Sequence, residues 1–187
     1  MSGLKFTRMG APLGAVVHDI DVRTVTGAQH AELNRLFCDH HVLVFRNQQL
    51  TPEEHMAFAA RWGALVRHPY AGMKAWPDVI ELVNHGKRRD INQHWHSDMT
   101  FNEAPPKLTM LYALQAPGIG GGTAFANQEL AYEGLSRGLK DVLRGLFALH
   151  SASGLAGTYG ADVEAAPHSE HPVVRVHDET GRGSLYV

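Results

Sequence analysis

Trp95-His96-Ser97-Asp98-Met99-Thr100-Phe101 decides how this chain reads. It sets an imidazole and a carboxylate two residues apart, between a polar loop and an extended, apolar stretch. In a strand, residues i and i+2 point to the same face. His96 Nε2 and an Asp98 oxygen can then converge on one ion with no bend in the backbone. One nitrogen and one carboxylate are two thirds of the 2-His-1-carboxylate set that holds non-haem Fe(II) and leaves coordination positions open. In a chain with 13 histidines His-x-Asp arises easily by chance, so the neighbouring segments carry the case.

Downstream, Ala104-Pro105-Pro106 forbids a helix. Lys107 to Ala116 then reads as a strand with bulky residues on both faces, expected to be covered on both sides. Pro117 to Gly122 is a turn, and Thr123 to Ala126 resumes extended structure. Two short helices follow, Glu129 to Gly134 and Ser136 to Leu143, then a strand from Gly145 to Ser151. Ser153 to Glu170 has few large apolar residues and reads as a mobile surface loop, a place for a lid. His171 to His177 is a strand, Asp178-Glu179-Thr180-Gly181 turns it, and Ser184 to Val187 begins the return.

Upstream, Leu13 to Ile20 reads as a strand. Leu33, Leu36 and Phe37 fall at i, i+3 and i+4 of a helix from about Ala28 to Asp39, and Cys38 on it reads as a small apolar side chain. His41 to Arg46 is a compact apolar strand. Thr51-Pro52-Glu53-Glu54 places Thr at N-cap, Pro at N1 and Glu at N3, a strong helix start. That helix runs to about Trp62, where Gly63 ends it. Val79 to Val83 is a further strand, and Asn84 to His94 a polar, basic loop.

At 187 residues, with 44% apolar and 19% charged residues, the chain fits one ordinary globular domain spanning 1–187. A formal net charge of -2 with no basic run gives nucleic-acid binding no support. Its single cysteine cannot form an internal disulfide. There is no secretory signal and no run of about 18 apolar residues, so the expectation is a cytoplasmic protein without a membrane partner. The stop inside an apolar run, Leu185-Tyr186-Val187, suggests the N-terminal portion of something longer.

Seven pieces of sequence in one order resemble the TauD/TfdA family of Fe(II)- and 2-oxoglutarate-dependent dioxygenases. They are Val44-Phe45-Arg46-Asn47-Gln48 with Leu50-Thr51-Pro52-Glu53; Trp62-Gly63 with His68-Pro69; Asn92-x-x-Trp95-His96-Ser97-Asp98; Ala104-Pro105-Pro106; Gly121-Gly122-Thr123; Ala131-Tyr132-Glu133-Gly134-Leu135-Ser136; and His171-Pro172-Val173-Val174 through Gly181-Arg182 to Leu185-Tyr186-Val187. The resemblance implies that His96 and Asp98 ligate iron and that Thr123 helps hold the distal carboxylate of 2-oxoglutarate. It places Asn92, His68 and, with shifted spacing, Tyr70 along the substrate pocket. By residue type alone, Asn92 also suits a turn, His68 a loop and Thr123 a plain strand position. Trp95 reads as a packing residue, and His150 and His171 as structural histidines.

The family's second iron-binding His and its 2-oxoglutarate-binding Arg lie beyond the hairpin at Gly181, past the end of this chain. The expected fold is α+β: a double-stranded β-helix (jelly-roll) core with flanking helices, incomplete at its C-terminal side. The helix and strand pattern supports α+β, and the jelly roll is what the resemblance implies. The expected activity is hydroxylation of a small, anionic organic molecule, such as a sulfonate or an aryloxyalkanoate, with O₂ and 2-oxoglutarate consumed and succinate and CO₂ released. Two alternatives stand beside it: a truncated, inactive fragment or pseudoenzyme, and a cupin-like metal hydrolase or isomerase needing neither 2-oxoglutarate nor O₂. A half-built barrel exposes a sheet edge, which makes a homo-oligomer one expected arrangement.

Overall fold

The computed structural model describes residues 3–10, 12–83 and 94–187. The chain forms two compact units, each assembled from separated stretches: Met1–Glu54, Tyr112–Leu146 and Pro172–Tyr186 in the first, and His55–Leu111 with Phe147–His171 in the second.

In the first unit, β1 (Phe6–Arg8), β2 (Ala15–Val17) and β3 (Leu43–Phe45) make a three-stranded sheet. β1 runs antiparallel to β2, with Phe6 opposite Val17, and β2 runs parallel to β3, with Ala15 opposite Leu43. The parallel pair needs a crossover, supplied by α1 (Gly27–His40). Thr26 and Gln29 form a reciprocal capping box at its start. Its end is His41, in the left-handed conformation at φ 63°. Leu33 of α1 is fully buried, and Ala15 and Val17 of β2 are buried too. Thr51 and Glu54 cap α2 (Pro52–Ala59) reciprocally, as the sequence predicts. A turn of 3₁₀ helix, Ala60–Trp62, extends it to Gly63.

The C-terminal part of the first unit holds α3 (Gln128–Glu133), α4 (Arg137–Leu143) and a hairpin of β6 (Val174–Val176) with β7 (Gly183–Leu185). α3 packs on β7 so closely that a Cβ on Gly183 would lie 2.9 Å from the Tyr132 ring. Arg182 and Glu129 pair at 2.9 Å, with His41 Nε2 3.7 Å from the same carboxylate.

The second unit contains the pair β4 (Phe147–Ser151) and β5 (His168–Pro172), with α5 (Ser153–Thr158) between them. Its core is Phe101 with Ala152, Ala156 and Ala166, and Tyr70 and Met99 pack against this group.

Several expectations fail here, for physical reasons. Residues 153–170 are no simple loop: α5 and the start of β5 occupy them. The small side chains that suggested a loop are what lets α5 approach Phe101. The run from His171 to His177 divides at Val173 into β5 and β6, which pair with different strands. Lys107 to Ala116 and Val79 to Val83 form no strand, because neither finds a ladder partner among the described residues. Instead of being covered on both faces, Leu111 and Leu114 are exposed, as are Leu82 and Val83. No helix among the described residues is long and apolar enough to cross a membrane.

Candidate metal centre

The second unit gathers His68, Tyr70, His96 and Asp98, four of the side chains singled out by sequence. Their arrangement is reached by a different route from the expected strand. Residues 95–97 lie outside any helix or strand, and 98–101 form a turn. Trp95 does not pack: it is 74% exposed, since the segment that carries it joins no sheet. Met99 sits at φ 54°, a left-handed conformation that costs a non-glycine residue about 1–2 kcal/mol. The Asn102 N–H closes the turn onto the Met99 carbonyl at 3.1 Å. Phe101, buried in the core, anchors it.

His96 Nε2 lies 3.3 Å from Asp98 Oδ1, with both side chains about half exposed. His96 Nδ1 is 2.7 Å from the His94 carbonyl. A carbonyl only accepts, so Nδ1 carries a proton and donates, and in the neutral imidazole the Nε2 lone pair faces the carboxylate. On the other side, the Thr109 hydroxyl donates to Asp98 Oδ2 at 2.7 Å, and Oδ1 is the oxygen that faces His96. Two acceptors facing each other at this distance repel unless a cation, either a proton or a metal ion, lies between them. Ligands about 2.1 Å from one divalent ion and at right angles to each other are about 3.0 Å apart, so the pair fits a shared metal. The hydrogen bonds to Nδ1 and Oδ2 are the outer contacts that fix a ligand's tautomer and aim. Among the described residues no third His, Cys, Asp or Glu joins them as a metal-binding group.

His68 stands beside this pair. Burial holds its imidazole below the ordinary histidine value, and the Asp98 carboxylate works against that shift. Its Nδ1 accepts the Tyr70 N–H at 3.1 Å. Tyr159, at the end of α5, completes an aromatic group that the sequence reading missed. Its ring stacks on Tyr70 at 6.2 Å and 25°, and lies 5.7 Å from His68. A cleft of about 330 Å³ opens along Tyr70, Met73, Ile80, Glu81 and Tyr159. Gly72 shapes its wall, for a Cβ there would lie 2.5 Å from the Pro77 carbonyl oxygen. Tyr159 falls in the stretch expected to be a lid, and an aromatic among small residues was the available signal.

Thr123 belongs to the first unit and is exposed, outside any helix or strand. Asn92 lies outside the described residues. His150 and His171, expected to be structural, are both buried.

The family model described as "Taurine catabolism dioxygenase TauD, TfdA family" matches residues 5–187. An alkylsulfatase of Acinetobacter baylyi is 36% identical, over 95% of this chain and 59% of its own length. An alpha-ketoglutarate-dependent 2,4-dichlorophenoxyacetate dioxygenase of Cupriavidus pinatubonensis is 33% identical, over 92% of this chain and 69% of its own. The crystal structure of a taurine dioxygenase from Burkholderia xenovorans superposes with a TM-score of 0.76 at 28% identity, covering 99% of this chain and 63% of that one. The chain thus spans between about three fifths and seven tenths of the length of these relatives. Its α+β architecture is that of their jelly-roll fold, and the chain belongs to the TauD/TfdA dioxygenase family.

Proposed function

We propose that this chain contributes to the active site of an Fe(II)- and 2-oxoglutarate-dependent dioxygenase that hydroxylates a small, anionic organic molecule. The observation that carries this reading is the approach of the His96 Nε2 lone pair to Asp98 Oδ1 at 3.3 Å, an arrangement that calls for a cation. Nitrogen and carboxylate donors without thiolate suit ferrous iron. When bound, iron with 2-oxoglutarate and O₂ supplies the oxidation: the co-substrate leaves as succinate and CO₂, and one oxygen atom passes to the substrate.

The protein's own share is orientation. His94 and Thr109 fix the two ligands. Thr123 is assigned to the distal carboxylate of 2-oxoglutarate, and His68, Tyr70 and Asn92 to the substrate. Relatives named for alkyl sulfates and 2,4-dichlorophenoxyacetate support a substrate with an anionic head and an apolar body, which suits the tyrosine-lined cleft.

Anaerobic Fe(II) titration followed by succinate measurement tests the proposal. Ferrous binding that disappears in His96→Ala and Asp98→Ala is expected, with succinate formed from 2-oxoglutarate on admitting O₂. Sulfonates, alkyl sulfates and aryloxyalkanoates serve as the substrate panel. Absence of ferrous binding, or binding indifferent to both substitutions, overturns the metal assignment. Binding without succinate favours an inactive chain.

A further inference from the structure

β5 grips the turn that follows Asp98. Three successive carbonyls of that turn, those of Thr100, Phe101 and Asn102, accept hydrogen bonds from two side chains of β5. Ser169 Oγ donates to the Phe101 oxygen at 2.8 Å. His171 Nε2 lies 2.8 Å from the Thr100 oxygen and 3.0 Å from the Asn102 oxygen. Both are acceptors, so Nε2 carries a proton and shares it between them. Ser169 and His171 are two residues apart on one strand and therefore share a face. His171 is buried, and the His150 ring of β4 packs against it at 5.2 Å and 73°. The left-handed Met99 is thus held from one side by the core around Phe101 and from the other by β5.

We propose that Ser169 and His171 are positioning residues for Asp98. By fixing the carbonyls of residues 100–102 they hold the turn in the one conformation that aims the carboxylate at His96. His171 acts here through its Nε2 proton, which is committed to the backbone carbonyls of Thr100 and Asn102. The consequence for metal binding rests on the iron site proposed above; the clamp itself does not.

The test uses the 187-residue protein with two readouts, amide hydrogen exchange at Asn102 and anaerobic Fe(II) affinity. Loss of one neutral hydrogen bond corresponds to about a 2- to 13-fold effect. Ser169→Ala is expected to speed Asn102 exchange and weaken ferrous binding within that range, while the amide of Leu33 in the other unit exchanges as before. His171→Leu is expected to weaken ferrous binding about 10- to 100-fold, as loss of an outer contact does. His171→Gln, which returns an N–H near the place of Nε2, is expected to stay within about 3-fold of the native protein. If His171→Leu fails to fold, Ser169→Ala and His171→Gln decide.

Unchanged Asn102 exchange in Ser169→Ala overturns the clamp. Faster exchange with native ferrous affinity overturns its role in aiming Asp98. Faster exchange in a protein that binds no ferrous ion supports the clamp and fails the iron site.

Discussion

Replacing Thr109 with valine removes one hydroxyl and little else. That hydroxyl donates to Asp98 Oδ2 at 2.7 Å, leaving Oδ1 to face His96. A hydrogen bond to a charged acceptor contributes about 1.5–3 kcal/mol to a folded protein. The Asp98 side chain is 46% exposed, so water replaces part of the lost bond, and about 1 kcal/mol remains. In binding terms that is about a fivefold weaker metal complex. The loss arises because an unrestrained carboxylate must be ordered each time the ion binds. Thr109→Ser keeps the donor and is expected to bind within about twofold of the native protein. Competition with a ferrous chelator under anaerobic conditions reads the difference directly. Native affinity in Thr109→Val, measured where His96→Ala abolishes binding, would refute the idea that this hydroxyl aims the ligand.

Two further outcomes follow from the same geometry. Tyr159→Ala removes one ring of the stacked pair beside His68. It is expected to raise KM for an aryl-bearing substrate about 2- to 13-fold while kcat in succinate formation holds; an unchanged KM would remove Tyr159 from the substrate wall. The second outcome concerns pH. Burial holds His41 and His55 below the ordinary histidine value of 6.5. The unfolded chain therefore binds more protons than the folded one once pH drops below about 7. Stability from these groups is present above pH 6.5 and lost as pH falls through their lowered folded values. The urea midpoint should accordingly be lower at pH 5.5 than at pH 7.5. His41→Asn, which tolerates the left-handed backbone at this position, should flatten the dependence. A midpoint that is level or rising on acidification would contradict the burial argument.

What the sequence made legible is what local chemistry dictates. The capped start of α2 follows from Thr51 with Glu54, and that cap is present; the same rule covers Thr26 with Gln29 at the start of α1, which the reading of that helix from its apolar face left out. Strands were legible only where a partner exists. Lys107 to Ala116 retains an alternation of half-buried and exposed residues from Leu108 to Ala113, yet makes no ladder. Periodicity reports that a segment is extended and leaves open whether anything pairs with it. The alanines of α5 misled for a related reason, since composition cannot distinguish a loose loop from a helix pressed against Phe101.

The candidate site repeats the pattern. His-x-Asp named a pair whose side chains do meet, through a different backbone: a turn with Met99 in a left-handed conformation follows Asp98 where a strand was expected. The contacts that stabilise this turn come from Ser169 and His171, more than 65 residues downstream. Ser169 belongs to none of the seven pieces and His171 only opens the last of them, and no local rule links either to residues 100–102. The pair proposed as ligands was therefore readable from seven residues, whereas the hold on the turn beside it comes from a strand that meets it only once the chain has folded back on itself.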